Sequence, residues 1–372
     1  MDDSDPDLLP EGLEDRLSRE AAAGQRVLRA MLDAMDARGY DRVVPPLIEF
    51  ERSLAARMSG IRTRRMFRFV DPASLRTLAL RSDITPQIGR IAETRLASAP
   101  RPLRLSYAGQ VATIRGDGLD PAREQLQVGA ELIGRDSVAA AGEIAELAIE
   151  ALAAAGARGI AIDLTLPDLV DTLAADALPL AEGRIEAVRS QLDAKDAGGL
   201  VAAGGDAYLP LLYATGPFEV AIGKLAAIDA GGVLASRIEG LRAIAARLAG
   251  MARITLDPTE RHGFEYQSWF GFTLFADGVR GSLGRGGTYR IARERGEGEV
   301  AAGFSLYPDA LLEALVGEEP RDSLFLPLGH DREAAARLRA VGWRTVAALD
   351  AEDSAEALGC SHLLADGEPR RV

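Results

Sequence analysis

The stretch that most limits the possible fold is RLSYAGQVATIRGDGLDPAREQLQVGAELIG, which runs from Arg104 to Gly134. Two runs with strand character flank a loop rich in Gly, Asp and Pro, which is the pattern of a hairpin. In the second run, Gln127 and Glu131 are four residues apart and therefore project from the same face of a strand. The stretch predicts a sheet with one face that can hold a small polar ligand.

The segments around this hairpin predict flanking helices and a second hairpin. Apolar spacing predicts helices over residues 11–38, ended by Gly39, and over SVAAAGEIAELAIEALAAAG. TPQIGRIAETRLA predicts another helix, with Thr85 suited to the N-cap and Pro86 to the first helical position. The prolines of YDRVVPPLIEF force extended backbone. MFRFVDPASLRTLALRSD predicts a hairpin that turns at DPAS.

The second half of the chain alternates strand and helix patterns. GIAIDLTLPDLVDTL predicts a buried strand that leads into a helix, and residues of about 175–252 predict an inserted helical segment with glycine breaks. FEYQSWFGFTLFADG predicts sheet, GRGGTYR a Gly-rich turn, and GEVAAGFSLYPDALLEAL a strand followed by a helix. The tail predicts strand, helix, strand, helix and strand, which is a small α/β unit. Together these segments predict a mixed sheet flanked by helices.

The charge of the chain limits its partners. The net charge is −13 and the isoelectric point is near 4.9, whereas affinity for nucleic acid or anionic membranes depends on clustered cations. We therefore expect no nucleic-acid partner and no membrane partner. One basic cluster is either a local binding patch or a solvated loop, the more common role of such runs; it contains Arg62, Arg64, Arg65 and Arg68.

Composition also bears on compartment and metal binding. No apolar run is long enough to span a membrane, and the start MDDSDPDLLPEGLEDR is acidic where a signal peptide is basic, so we expect a cytoplasmic protein. A single cysteine, Cys360, excludes an intramolecular disulfide framework. The three histidines show no metal-ligand spacing, and no nucleophile arrangement stands out. We expect no metal, no cofactor and no catalytic residue.

Several residues are candidates for ligand contacts, each with a structural alternative. GRGGTYR lacks the lysine and spacing of a phosphate-binding loop, so its glycines are more typical of a tight turn or a close backbone approach. Asp83 and Thr85 lie where a helix begins, so Thr85 either caps that helix or contacts a polar ligand. A buried Glu131 needs a cation or donors, from a ligand or from an arginine. Five aromatic residues form either a pocket wall or core: Tyr266, Trp269, Phe270, Phe272 and Tyr289.

The order of motifs resembles that of class II aminoacyl-tRNA synthetases, in the form found in histidyl-tRNA synthetases, over about residues 10–317. GYDRVVPPLIEF resembles motif 1, whose proline shapes a dimer interface, and the stretch from Arg104 to Gly134 resembles motif 2. RHGFEYQSWFGFTLFADG and GRGGTYR resemble the histidine-recognition strand and the turn after it, and AAGFSLYPDALLEAL resembles motif 3. The resemblance implies an α+β fold: an antiparallel sheet flanked by helices over residues 1–317, with the insertion at about 175–252, and a small truncated α/β domain over 320–372.

The groups that catalyse adenylation in these synthetases are missing. By the resemblance, the motif 2 arginine falls at Thr113, the adenine-stacking aromatic residue at Gln125, and the motif 3 arginine at Ala310. Without two guanidinium groups and a ring, neither positioning nor charge neutralisation at phosphorus is supplied, and we expect no adenylation. Arg115, two residues along from Thr113 on the same predicted strand face, keeps one alternative open: an amino-acid-activating enzyme.

Paralogues that lack these groups are the regulatory subunits of ATP phosphoribosyltransferase, and the chain is similar to that family throughout its length. The resemblance implies a non-catalytic subunit that a short catalytic partner requires for the first step of histidine biosynthesis. It also implies a homodimer within a hetero-octamer, with histidine as feedback inhibitor. The residues after 320 are too few for a full anticodon-binding domain, which argues further against transfer-RNA binding. A scaffold without a small ligand is the third possibility.

Candidate histidine contacts follow from the same resemblance. Asp83 stands where the synthetases have a longer glutamate, the arginine of their RGLDYY-type motif falls at His262, and the second tyrosine falls at Gln267. The pocket therefore either binds histidine or is a relic. The candidate histidine-binding residues are Asp83, Thr85, Gln127, Glu131, His262, Tyr266 and Tyr289.

Overall fold

The computed structural model describes residues 8–55, 66–116, 121–229, 231–261, 267–292, 298–315 and 322–372. The chain forms two compact units, Met1–Val316 and Gly317–Val372. Of the basic cluster, Arg62, Arg64 and Arg65 lie outside the described residues, and Arg68 forms an ion pair with Glu51 at 2.9 Å.

Two sheets organise the first unit. Its strands are β1 (Asp41–Arg42), β2 (Ile48–Phe50), β3 (Arg68–Val70), β4 (Thr77–Leu80), β5 (Leu103–Ala112), β6 (Glu124–Ile133), β7 (Ala161–Thr165), β8 (Gly216–Pro217), β9 (Arg253–Leu256), β10 (Gln267–Phe275), β11 (Gly284–Ile291) and β12 (Glu299–Leu306). As far as the chain is described, the larger sheet has nine strands in the order β1-β5-β6-β12-β11-β10-β7-β9-β8. Its central strands, from β5 to β7, pair antiparallel, whereas β1–β5 and β7–β9 pair parallel. The strands β2, β4 and β3 form a small antiparallel sheet.

The helices flank the larger sheet and fill the insertion. They are α1 (Ser18–Ala37), α2 (Glu51–Ala55), α3 (Thr85–Thr94), α4 (Val138–Ala154), α5 (Leu169–Ala175), α6 (Glu182–Asp193), α7 (Ala197–Ala202), a 3₁₀ helix (Asp206–Tyr213), α8 (Phe218–Ile228), α9 (Ala235–Leu248) and α10 (Asp309–Leu315). The helical character predicted for residues of about 175–252 is confirmed. Ser137 caps α4 by accepting from the backbone N–H of Ala140 at 3.2 Å.

The larger sheet separates two hydrophobic cores. On one face, Val128 and Leu132 of β6 belong to the same core as Ile144 of α4. On the other face, Leu105 of β5 belongs to a smaller core with Ile88 of α3. Because side chains alternate along a strand, each central strand contributes to both cores. The face toward α3 is called the site face below.

The first helix begins later than predicted. Residues 11–17 are not helical; α1 starts at Ser18, and Gly39 ends it with φ +78°. Gly12 takes φ +76°, and its carbonyl accepts from the backbone N–H of Arg123 at 2.9 Å. The segment before α1 is therefore bonded to the start of β6 instead of continuing the helix.

The glycine-rich stretch GRGGTYR is a central strand, β11, so the predicted turn is wrong. The alternative, a close backbone approach, explains the glycines. A Cβ on Gly284 would lie 2.4 Å from the carbonyl oxygen of Ser305, and one on Gly286 would lie 2.5 Å from that of Gly303. Residues with side chains at these positions would push β12 away from β11.

The second unit is a small α/β fold. It contains β13 (Ser323–Leu326), α11 (Arg332–Ala340), β14 (Arg344–Ala347), β15 (His362–Ala365) and β16 (Glu368–Arg371), with strand order β14-β13-β15-β16. The predicted second helix of this unit is wrong: turns occupy residues 351–352 and 355–359 instead. Asp350 and Asp353 accept hydrogen bonds from nearby backbone N–H groups, at 2.7 to 3.3 Å, and such bonds compete with a helix.

Candidate functional site

Polar side chains from four strands and one helix start meet on the site face. The register pairs Gly109 with Gln127 and Tyr107 with Gly129. It also pairs Glu131 with Gly303. Large polar side chains therefore alternate with glycines across neighbouring strands. Five of the candidate residues are brought together on this face: Asp83, Thr85, Gln127, Glu131 and Tyr289.

Glu131 lies at the centre of the site and is 1% exposed. Its carboxylate accepts from the hydroxyl of Tyr289 at 2.6 Å and from that of Tyr107 at 3.2 Å. Burial raises the pKa of Glu131 to about 8, although the tyrosine hydroxyls oppose this rise. No lysine or arginine nitrogen of the described residues lies within 4.0 Å of this carboxylate. A buried carboxylate without a cation is suited to a ligand that brings N–H donors.

The second part of the site consists of hydrogen bonds between the start of α3 and β6. Gln127 is fully buried; its amide nitrogen donates to Asp83 Oδ1 at 2.8 Å, and its oxygen accepts from the backbone N–H of Ile84 at 2.9 Å. The other Asp83 contact is the backbone N–H of Thr85, at 2.9 Å. Thr85 is not the N-cap, because Ile84 takes that place. The Thr85 hydroxyl points into the site instead, 3.0 Å from the hydroxyl of Tyr107.

Tyr107 and Ser305 belong to the site and were missed in the sequence. The Tyr107 hydroxyl lies 3.0 Å from that of Thr85, 3.1 Å from that of Ser305 and 3.2 Å from Glu131 Oε1. Burial raises the pKa of Tyr107 well above its usual value, so this hydroxyl stays protonated. Ser305 also accepts from the Gln127 amide nitrogen at 2.8 Å. Strand alternation gave the one available signal, since Tyr107 lies two residues from Gly109, the cross-strand partner of Gln127, and therefore projects from the same face as Gln127.

Two glycines make room for these side chains. A Cβ on Gly303 would lie 1.5 Å from Glu131 Oε2, and a Cβ on Gly129 would lie 2.4 Å from the Tyr107 hydroxyl oxygen. Both distances are far inside contact, and the overlapped atoms are held by hydrogen bonds. The site therefore depends on the absence of side chains at positions 129 and 303.

The remaining predicted contacts divide into two groups. His262 and Tyr266 lie outside the described residues, and the neighbouring Gln267 pairs in register with Tyr289. Phe270 and Phe272 lie in the core on the opposite face of the sheet, so neither forms a pocket wall. Trp269 packs against that same core and donates from its indole nitrogen to Asp136 at 3.0 Å.

The positions that would handle ATP in a synthetase lie away from this cluster. Strand β5 ends at Ala112, one residue before Thr113. Arg115 lies in an exposed bend, so the expectation that it shares a strand face with Thr113 is wrong. Gln125 lies on β6, and Ala310 lies in the first turn of α10.

The polar groups of the site are suited to hydrogen bonding with a small ligand. Within the described ranges, no group of three or more His, Cys, Asp or Glu side chains has metal-binding geometry. The site contains two carboxyl groups, one amide, two phenols and two aliphatic hydroxyls, which suit a small ligand with cationic or N–H groups.

Among the helices of the described residues, none is long and apolar enough to cross a membrane.

The chain is similar to known proteins in both sequence and fold. The profile of the family described as histidyl-tRNA synthetase matches residues 12–311. The chain is 44% identical to a protein of Rhodospirillum centenum named ATP phosphoribosyltransferase regulatory subunit, over 98% of this chain and 96% of that protein. It is 42% identical to a protein of the same name from Paramagnetospirillum magneticum, over 96% of each.

A solved structure shares the fold. It is described as an ATP phosphoribosyltransferase regulatory subunit/histidyl-tRNA synthetase from Bacillus halodurans; it superposes with a TM-score of 0.82 at 23% identity and covers 96% of this chain and 97% of that chain. The predicted α+β, class II synthetase-like fold is therefore confirmed. The named relatives are regulatory subunits and not catalytic chains. The chain belongs to the histidyl-tRNA synthetase family and, within it, to the regulatory subunits of ATP phosphoribosyltransferase.

Proposed function

We propose that this chain activates a short-form ATP phosphoribosyltransferase catalytic subunit in the cytoplasm, at the first step of histidine biosynthesis, and that free histidine inhibits the complex through the site described above. The names of the relatives support the first part. One observation carries the second: the carboxylate of Glu131 is buried and bonded only to hydroxyl groups among the described residues. A ligand that donates an N–H there favours the ionised form of this carboxyl group and then forms a charge-assisted hydrogen bond with it.

Histidine has donors that match the positions of the acceptors. Its imidazole N–H is suited to Glu131, and its α-amino group is suited to Asp83 and Gln127, which lie 2.8 Å apart. Thr85 adds a hydroxyl between these two parts of the site. His262 and Tyr266 remain candidates for further contacts. Inhibition then requires that histidine binds two quaternary states with different affinity, because a ligand that binds both equally shifts nothing.

The chain is proposed to form a homodimer that enters a hetero-octamer with the catalytic subunit. Buried side chains hold the backbone of the motif 1-like segment in place. The Pro45 carbonyl accepts a hydrogen bond from Arg81 at 3.0 Å, and the Pro46 carbonyl accepts one from Gln87 at 2.7 Å. Their neighbours face outward, with Val44 75% and Leu47 45% exposed. Exposed apolar residues on a fixed backbone suit an interface between subunits.

The domain assignment belongs to the same proposal. We assign the class II-type domain to residues 1–317 and the truncated α/β domain to residues 320–372. The division of the chain into units Met1–Val316 and Gly317–Val372 supports this assignment.

Reconstitution with a short catalytic subunit tests the proposal. Phosphoribosyltransferase activity should require both chains and fall as histidine is added. Glu131→Ala should weaken inhibition while uninhibited activity stays near that of the wild type; the control is Glu150→Ala, on the other side of the sheet in α4, where Glu150 pairs with Arg38. An unchanged inhibition curve for Glu131→Ala would place the inhibitor elsewhere. Histidine-dependent exchange of pyrophosphate into ATP would support the amino-acid-activating enzyme instead.

A further inference from the structure

A buried guanidinium, that of Arg81, lies at the edge of the same site. Arg81 is 6% exposed. Its Nε donates to the carbonyl of Gln110 at 2.8 Å, and its Nη1 donates to the carbonyl of Pro45 at 3.0 Å and, more weakly, to Gln87 Oε1 at 3.5 Å. Its Nη2 has no acceptor among the described residues. Part of this guanidinium is therefore available for a further hydrogen bond.

The Nη2 atom points to the site face. It lies 2.0 Å from the place that a Cβ on Gly109 would occupy, so the guanidinium lies over a strand position without a side chain. Gly109 pairs directly with Gln127 in the register of β5 and β6. The Cβ atoms of directly opposed residues in an antiparallel pair are only about 5 Å apart. Arg81 is thus next to Gln127, on the side where the amino group of the proposed ligand would bind.

Among the described residues, the charge of Arg81 is not balanced by a close anion. No carboxylate oxygen in the described part of the chain lies within 4.0 Å of its guanidinium. Burial lowers the pKa of Arg81, and the more distant charge of Glu49 only partly opposes this. A buried cation that has only neutral acceptors gains from an incoming carboxylate.

The backbone donors at the start of α3 are already used. At the start of α3, the N–H of Ile84 is bonded to Gln127 and that of Thr85 to Asp83, each at 2.9 Å, while Pro86 has no N–H. The helix start therefore has no spare donor for a carboxylate in its first turn, because the next N–H, of Gln87, donates to the Ile84 carbonyl. The motif 2 position that holds an arginine in the resembling synthetases is Thr113 here.

We infer that Arg81 binds the α-carboxylate of the amino-acid ligand through Nη2, in place of the missing motif 2 arginine. The inference rests on the proposed histidine site and specifies how that site recognises the ligand: as an amino acid with a free carboxylate, not as an imidazole amine. Arg81 also donates to the Pro45 carbonyl in the motif 1-like segment. The same side chain therefore contacts both the ligand and the segment proposed to form the dimer.

The test compares two ligands and does not depend on any one variant. Binding of histidine and of histidinol, in which a hydroxymethyl group replaces the carboxylate, is measured by calorimetry on the full chain. Wild type should bind histidine at least roughly tenfold more tightly than histidinol. Arg81→Gln should lower the affinity for histidine to near that for histidinol and leave histidinol binding almost unchanged. The control Arg104→Gln, on the opposite face of β5 where Arg104 pairs with Glu143, should keep the full preference.

A second variant is needed because Arg81 also forms hydrogen bonds that support the fold. Gly109→Ala keeps the charge but displaces Nη2, and it should reduce the preference as Arg81→Gln does. Should Arg81→Gln fail to fold, as judged by circular dichroism, this variant decides. Equal wild-type affinity for both ligands would overturn the role of Arg81 and leave the histidine site standing, whereas no binding of either would overturn both. A preference that survives in the folded Arg81 variant but disappears in Arg285→Gln would assign the carboxylate to Arg285, which lies on the site face of β11 opposite Ser305.

Discussion

Because its pKa is raised by burial, Glu131 should make the ligand-free chain less stable as pH rises. Its pKa in the folded chain is about 8, against an ordinary value of 4.5. Between these two values the folded state holds a proton that the unfolded state releases, so the free energy of unfolding falls with increasing pH. At about 1.4 kcal/mol for each pH unit, the full loss is about 5 kcal/mol, of which about 3 kcal/mol occurs between about pH 5.5 and 8.5.

The variant Glu131→Gln isolates this effect. Glutamine keeps the shape and an acceptor for the hydroxyls of Tyr289 and Tyr107 but does not ionise. Other groups add their own pH dependence, among them Asp163, whose pKa is also raised by burial. They act equally in both proteins, so the difference between wild type and variant belongs to Glu131.

Urea unfolding at several pH values between about 5.5 and 8.5, followed by circular dichroism, measures the difference. The wild type should lose stability relative to Glu131→Gln by about 3 kcal/mol over this range. Added histidine should reduce the loss, because its N–H donors favour the ionised carboxylate. Parallel profiles for the two proteins without ligand would refute the reasoning, because they would mean that Glu131 titrates normally in the folded chain.

Three further predictions follow from the packing around the site and from the exposed surface. Gly303→Ala, whose Cβ would lie 1.5 Å from Glu131 Oε2, should lower the free energy of unfolding by several kcal/mol and abolish histidine binding in calorimetry, whereas Gly223→Ala, with open space around it, should cost nothing. Val44→Asp should convert the dimer to monomers in light scattering, because it places a charge in the proposed interface; a dimer that persists would exclude this segment from the interface. The chain should show no histidine-dependent pyrophosphate exchange, and replacing the exposed Arg115 by Ala should change neither this nor histidine binding.

The central hairpin could be predicted from the sequence because its pattern is local. The alternation in β6 placed Gln127 and Glu131 on one face, and the structure has them there. The strand nature of β11 could not be predicted in the same way. In the local sequence its glycines are typical of a turn. They are needed because the backbone of β12 lies too close for side chains at these positions, and this closeness is visible only in the folded sheet.

The parts of the site that were missed depend on contacts between distant segments. Tyr107 is an ordinary aromatic residue in its own strand, and Ser305, which lies 198 residues away, gives it a polar partner. Arg81 gave no local signal at the end of a predicted hairpin, since its burial depends on the carbonyls of Pro45 and Gln110. The start of α1 was misplaced for the same reason, because the Gly12 carbonyl bonds to Arg123 across the fold.

The hydrogen bonds among the side chains of the site have a consequence for how the chain would sense the proposed ligand. Gln127 already bonds to Asp83, and Glu131 already bonds to two tyrosines, so an arriving amino acid exchanges bonds and does not simply add them. Exchange gives a smaller net gain per contact than the filling of unsatisfied positions. Under the proposed function, such a site would hold histidine loosely and release it when the concentration falls. Loose holding suits a subunit that must follow the size of a metabolite pool continuously and would handicap an enzyme that must commit its substrate to reaction.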